Sequence, residues 1–337
     1  MRRGAPVPVE GSGTAGAGPE LRVVMPVHNA GPFLDPAITS VLNALDRLTG
    51  PAELVIVDDG STDGSGEWLL RKIGVEPRIR VLQNATAAGA ANAMNQGITS
   101  GPPAAFIGVA EHDDVTLPDR FVAQLAFLHA HPEVGAVSSE GRYLGPSGEV
   151  MGRVTVGPRS ASELDAARVS GEPILIPHPA ATFRMAALDA CGLYDPTFDG
   201  AHDLELFNRL VHAGGWSVMT LPETHVHYRV HGGATSFSRM GAQRMMTRYI
   251  GFRNEQTREG LAVPPYAEWV RHAVANRRDR WRWARKDQGA LLYRRAGLAW
   301  ISHDHVRAVL CGAGATVLHP RWVLGKVRTQ VRRSPAR

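Results

Sequence analysis

Short apolar runs that each break off in a polar loop recur along the first half of this chain, and that alternation limits the fold more than any other feature. Leu21–Val27 ends in Pro26-Val27-His28-Asn29, and Glu53–Val57 ends in Asp58-Asp59-Gly60-Ser61-Thr62-Asp63. Ile79–Leu82 is a third run, Ala104–Ala110 leads into Glu111-His112-Asp113-Asp114, and Val134–Ser138 comes next. Runs this short and this continuous read as strands of a parallel sheet, covered on both faces. Helical patterns lie between them. Pro32 opens one in which Phe33, Leu34, Ile38, Val41, Leu42 and Leu45 share a face; Ala88–Ile98 and Pro118–His131 are two more. The alternation predicts an α/β fold, a parallel sheet with helices on both sides. Ligands of such sheets bind beyond the C-terminal strand ends, where the carboxylate-bearing loops fall.

Farther on, residues 140–180 are less regular, and Asp199–Ala213 reads as a helix with acids at its start. Trp216–Thr220 and His225–Val230 read as strands, and from Met240 the pattern is helical with basic faces. The 337 residues allow one sizeable α/β core with an appendage, or two modest domains. The division is visible in charge. Residues 1–240 carry 17 Lys+Arg against 26 Asp+Glu, whereas 241–337 carry 20 against 6, a net +14. Five of the seven tryptophans (Trp269, Trp281, Trp283, Trp300 and Trp322) lie in that basic part.

Cys191 and Cys311 make no disulfide framework or cysteine zinc site, which favours a reducing, cytoplasmic setting. The run Ala308–Leu318 is too short to span a bilayer. Residues 1–20 lack the apolar stretch of a signal peptide and read as a disordered tail.

Three constellations could carry chemistry, and each has an ordinary reading beside it. Asp58 and Asp59 at a strand end can accept hydrogen bonds from a ribose or base, or simply build an Asp/Ser/Gly turn. Glu111, Asp113 and Asp114 offer hard oxygen ligands for Mg²⁺ or Mn²⁺, or an acidic cap before the next helix. Asp203, in Asp199-Gly200-Ala201-His202-Asp203, can act as a general base, or merely favour the helix start. Of the 14 histidines, His178, His225, His227 and His231 fall near Arg184 and Arg229 in sequence and include candidate metal ligands. Packing is the ordinary fate of such residues.

Taken in order, the segments VVMPVHNAGPFLDPAITSVLNAL, ELVIVDDGSTDGS, GAANAMNQGI, AEHDDVTLPDRFVAQLAFLHAHPEVGAVSS, HPAATFRMAALDACGLYDPTFDGAHDLELFNRL and YRVHGGATS resemble the family 2 glycosyltransferases of the GT-A fold. The resemblance runs from Leu21 to Ser236 and leaves the C-terminal hundred residues uncovered. It implies a mixed, mostly parallel Rossmann-like sheet over 21–236 and a mainly helical, basic extension over 237–337. It also implies a site. Pro26, Val27, His28 and Asn29 match the first nucleotide-binding loop, with His28 where the family usually has Tyr. Asp58 and Asp59 match its base- and ribose-binding acids. Asn92 and Asn95 lie on the helix flanking the donor, and Arg184 follows the His-Pro motif. Asp113 matches the metal-binding acid of the DXD motif, with Glu111 in place of the first Asp, and His231 matches a closing histidine that reaches the metal. Asp203 matches the catalytic base, with His202 replacing the preceding Glu.

The function implied is inverting sugar transfer from a UDP-, dTDP- or GDP-sugar, with Mn²⁺ or Mg²⁺, to a glycan or lipid-linked acceptor. The alternative is an inactive relative that binds a nucleotide sugar or a partner. A dinucleotide oxidoreductase is excluded by the first turn, which has no glycine run. For the basic extension, a solvated surface, a peripheral contact with an anionic membrane on the cytoplasmic face and a homodimer interface all remain open; nucleic acid is not expected.

Overall fold

The computed structural model describes residues 18–72, 76–145, 148–230, 240–301, 304–320 and 323–325. Most of the expected tail lies outside these residues, as do His231 and Trp322. In chain order the elements are β1 (Leu21–Val27), α1 (Leu34–Leu45), β2 (Ala52–Asp59), α2 (Ser65–Lys72), β3 (Ile79–Asn84), α3 (Ala90–Thr99), β4 (Phe106–Val109), β5 (Val115–Thr116) and α4 (Arg120–Ala130). Then come β6 (Val134–Leu144), β7 (Val150–Val154), α5 (Ala161–Ser170), β8 (Thr182–Arg184), α6 (Met185–Cys191), α7 (His202–His212) and β9 (Ser217–Arg229). Then, among the described residues, come α8 (Met240–Glu259), α9 (Tyr266–Ala275), α10 (Arg277–Ile301) and α11 (His305–Leu318). The chain divides into two compact units, Met1–Thr235 with Ile250–Ala262, and Ser236–Tyr249 with Val263–Arg337. Ile250–Ala262, expected in the C-terminal region, thus belongs with the sheet.

The sheet runs β3-β2-β1-β4-β8-β6-β9-β5, with β7 on β6. β1 lies between β2 and β4, all parallel, with Val23 opposite both Leu54 and Gly108. Antiparallel pairs are more frequent than expected because β5, β7 and β8 reverse direction. Strands of two to five residues carry too little periodicity to be read from sequence.

Alternate residues of β1 enter different cores, as strand geometry requires. Leu21, Val23 and Met25 join Leu34, Ile38, Val41 and Leu45 of α1 and Phe121, Leu125 and Leu128 of α4. Val24 points the other way, to Met94 and Ile98 of α3 and to Phe207 and Leu210 of α7. Burying each of these side chains contributes about 1.5–3 kcal/mol, so a polar residue at any of them would open the sheet. One member of the supposedly apolar β1 run is charged. Arg22 is 1% exposed, and its guanidinium donates to Glu53 at 2.6 Å and to the carbonyls of Ile98 at 2.6 Å and Pro102 at 2.5 Å.

A second buried arginine braces the sheet's functional edge. Arg120 donates to the carbonyls of Val109 at 2.7 Å and Ala181 at 3.0 Å. Gln124, one turn on, donates to Ala180 O and Ser139 Oγ and accepts from Thr182 Oγ1. Burial pulls the Arg120 pKa down to about 10. The charge remains, because two carbonyls and Gln124 Oε1 solvate it.

The second unit has its own aromatic core. Tyr249 packs edge-on against Tyr266 and Trp269, and Trp269 stacks on Trp283. Asp287 receives Arg244 at 3.1 Å and Arg248 at 2.5 Å. α10 and α11 pack through small residues; a Cβ at Gly289 would sit 3.0 Å from His319 Cβ. No described helix is long and apolar enough to cross a membrane.

Candidate active site

The C-terminal ends of β1 and β2 are zipped together by side chain to backbone bonds. Asn29 is the one described non-glycine residue with positive φ, at 53°, a conformation asparagine tolerates. Its backbone N–H donates to Ser61 Oγ, and its Oδ1 accepts from Thr62 N at 2.8 Å. Gly31 N donates to Asp63 at 2.9 Å. His28 is exposed; its Nδ1 lies 2.8 Å from the Asp59 carbonyl and its Nε2 3.2 Å from Asn29 Nδ2. The carbonyl can only accept, so the proton is assigned to Nδ1.

Both acids of the second loop are occupied in building it. Asp59 accepts from Asn84 Nδ2, Ala88 N and Gly89 N at 2.8–2.9 Å. Burial alone would raise its pKa; these bonds outweigh that and hold the carboxyl below its ordinary value. Asp58 accepts from Ser61 N at 3.1 Å and Gln83 Nε2 at 3.3 Å. A carboxylate has about four acceptor sites, so Asp58 keeps more capacity for a ligand than Asp59. Gly60 makes the tight turn feasible: φ is +70°, and a Cβ would meet Ala87 N at 2.7 Å.

The acidic loop after β4 is clipped on two sides. His112 Nδ1 reaches the Pro26 carbonyl at 3.2 Å, binding the loop to β1, whose Pro26 and Val27 are buried backbone providers. From β9, Arg229 donates its backbone N–H to Asp114 at 2.9 Å and its Nε to the Asp113 carbonyl at 3.0 Å. Burial of its carboxyl raises the Asp114 pKa well above the ordinary range, and Asp113 and Glu111 add to the rise. Asp113 and Glu111 are partly exposed. Among the described residues, no group of three or more His, Cys, Asp and Glu side chains is placed to hold a metal ion.

Sequence reasoning missed what connects this loop to α7. His178 is buried, with Nδ1 3.5 Å from Glu111 Oε1 and Nε2 2.9 Å from the Tyr194 hydroxyl. His202 packs edge-on against both rings, at 5.6 Å from His178 and 5.5 Å from Tyr194. Its Nδ1 is buried without a hydrogen-bond partner among the described residues. Burial lowers the His202 pKa, against the opposing pull of Asp203, and raises that of Tyr194 well above its ordinary value, with Asp203 and then Glu111 adding to it. Asp203 stands in the first turn of α7, partly exposed; Glu205, two residues on, is 1% exposed and tied to Arg209 and Arg253. The His178–Tyr194–His202 cluster therefore feels two carboxylates, Glu111 and Asp203.

Several expected site residues lie elsewhere. Arg184 pairs with Phe106 at the start of β4, five residues before Glu111 and so about 16 Å away along a strand. It donates to the carbonyls of Val134, Leu128 and His131, capping the end of α4. Asn95 spends both amide atoms on the backbone of Tyr194, at 2.8 and 3.0 Å, and so fixes the cluster rather than a ligand. Asn92 donates to Ala88 O within its own helix turn. Of the other described candidate histidines, His225 bonds Ser139 in the core, and His227 sits on β9 opposite Val115.

A family model, glycosyl transferase family 2, matches residues 22–190, half of the chain. The chain belongs to this family. Its relatives include the glycosyltransferase GlyG of Streptococcus pneumoniae, 36% identical over 28% of this chain and 30% of that protein. The hyaluronan synthase of Pasteurella multocida is 24% identical over 74% of this chain and 24% of the synthase. The chain thus aligns with less than a third of either relative's length. Among solved structures, the mannosyltransferase PcManGT of Pyrobaculum calidifontis, in complex with GDP-Man and Mn²⁺, superposes with a TM-score of 0.55 at 20% identity. That match covers 92% of this chain and 84% of the other, and identifies the fold as GT-A.

Proposed function

We propose that this family 2 member transfers a sugar from a nucleoside-diphosphate sugar to an acceptor hydroxyl, with inversion at the anomeric carbon. The observation that carries the reading is the convergence of Glu111 and Asp203 on the His178–Tyr194–His202 cluster. In this reading Glu111, at the end of β4, is an acid on the donor side, and Asp203, at the head of α7, is the acid on the acceptor side.

In this reading the base and ribose lie over the β1 and β2 loops, against the exposed His28 ring, Asn29 and the spare acceptor capacity of Asp58. Asp203 takes the proton of the acceptor hydroxyl. The oxygen then attacks the anomeric carbon from the face opposite the diphosphate, the bond to the diphosphate oxygen breaks, and the nucleoside diphosphate leaves. No second, nucleophilic carboxylate is needed. The donor set suits a hard divalent cation: Mg²⁺ and Mn²⁺ are commonly held by one or two carboxylates plus substrate phosphates, and need no all-protein cage. Asp113, with Glu111 beside it, would hold one, and the bound cation would neutralise charge developing on the diphosphate. The Mn²⁺ of the mannosyltransferase complex supports this; His231, expected as a third ligand, lies outside the described residues.

Calorimetric titration with UDP-, dTDP- and GDP-sugars, with and without Mn²⁺, tests the donor half. One donor should bind, more tightly with Mn²⁺, and Asp113→Ala should remove the metal's contribution. Failure of every donor to bind would overturn the reading. Anomeric proton couplings of the product, measured by NMR, test inversion; retained configuration would contradict the single-base mechanism.

A further inference from the structure

Helix α11 is apolar all round its circumference, with Arg307 its one residue of formal charge. One face is used. Ala308 and Ala315 are buried, and Gly314 packs on Leu292 of α10. The opposite face is not: Val306, Val309, Leu310 and Val317 are 73%, 65%, 67% and 77% exposed. At 100° per residue these four fall within one arc of about 100°. A helix without a polar face normally has both sides covered, and a contiguous apolar stripe on a surface marks an interaction site.

The same unit says what covers it. Trp300, 62% exposed, packs edge-on against His305 at the head of α11, beside Val306. Trp281, 65% exposed, lies under Arg285 at the other end of α10. Arg277, Arg278, Arg280, Arg282, Arg285 and Lys286 are all exposed along that helix. The partner must therefore present an apolar layer and a negative one together. A second copy docking through the same face would bring another strongly basic segment and be repelled. Nucleic acid would answer the arginines but leave the aliphatic stripe of Val306, Val309, Leu310 and Val317 in water. We infer that the stripe of α11 and the exposed basic N-terminal stretch of α10, Arg277 to Lys286, form a docking surface for an anionic lipid bilayer, with the stripe at the acyl boundary and the arginines among the headgroups. The placement is independent of the chemistry proposed for the sheet.

The test is co-sedimentation of the full chain with vesicles of phosphatidylcholine alone and of phosphatidylcholine with phosphatidylglycerol. The protein should pellet with the anionic vesicles, not with the neutral ones, and less so as salt rises. Val309→Ser with Leu310→Ser should lower partitioning by at least about tenfold, because two apolar side chains no longer insert. Both positions are exposed, and an unchanged helical circular dichroism spectrum would show the variant folded. Arg282→Glu with Arg285→Glu should also weaken binding. Three results would overturn the inference: no pelleting with anionic vesicles, pelleting unaltered by the serine pair, or a lipid-free dimer that the serine pair dissociates.

Discussion

Asp59 accepts hydrogen bonds from two backbone amides and one side-chain amide, so its role is fixed before any ligand arrives. Asp59→Asn keeps the shape but turns one acceptor into a donor aimed at a donor. That change should cost about 1–3 kcal/mol, read as a lowered unfolding midpoint, even without substrate. An unchanged midpoint would show that the carboxylate is not holding the loop. Asp203 makes the opposite case. Asp203→Asn should leave stability and donor affinity near those of the parent and reduce turnover by about 10²–10⁴, the usual worth of a general base. Equal loss of donor affinity would instead make Asp203 a binding residue. The acids were visible in the sequence as Asp58, Asp59, Glu111, Asp113 and Asp203, because strand ends and motif order point to them. Their division of labour was not. Asp59 is satisfied by the amides of residues 88 and 89, some 30 positions away, and Arg184 faces the far end of β4. Neither partner has a spacing that a linear reading can detect.

Among the elements, the long parallel strands and α1, α3, α4 and α7 are legible because each buries a periodic apolar face. The short reversing strands β5, β7 and β8 are not, and β8 decides much of the site. It pairs with β4 and is preceded by the turn that delivers His178 to Glu111. Arg120 holds that arrangement by bonding the carbonyl at the end of β4 and the carbonyl just before β8. Arg120→Leu should therefore destabilise the fold by about 2–4 kcal/mol, since it takes charge-assisted donors from the buried carbonyls of Val109 and Ala181, the second of which still accepts from Val109 N. Chemical denaturation measures this. A loss under about 0.5 kcal/mol, typical of a surface change, would show that the brace is dispensable.

Across the whole molecule, the buried histidines of the sheet unit and its depressed aspartates predict one direction of pH dependence, and Asp114, whose pKa burial raises, opposes it. His202, His212, His225 and His227 all have pKa values lowered chiefly by burial, His212 to about 4. Below about pH 6.5 the unfolded chain binds protons that these folded histidines refuse, so stability must fall as pH falls. Asp59 and Asp63 act in the same sense lower down. Their folded pKa values are depressed, so their contribution is complete above about pH 4 and is lost as pH drops through the folded values. Four histidines outnumber the one opposing carboxyl, so unfolding midpoints should decline from pH 7 to pH 5, and more steeply below pH 4; a flat profile would contradict the burial of these imidazoles.

The charge boundary near residue 240 was plain from composition, and so was the basic character of the residues beyond it. The return of Ile250–Ala262 to the sheet unit was not, because the division falls inside the continuous helix α8. The exposed stripe of α11 was also hidden, since an apolar run reads alike whether its outer face is covered or bare.

The central claim is that Asp113, in the acidic loop after β4, and Asp203, at the head of α7, serve one transfer reaction. Release of nucleoside diphosphate from a panel of UDP-, dTDP- and GDP-sugars, with and without Mn²⁺, measures it most directly, beside Asp113→Ala and Asp203→Asn. The account predicts Mn²⁺-dependent release from one donor that falls at least about 10²-fold in each variant. Release that survives both substitutions would contradict it.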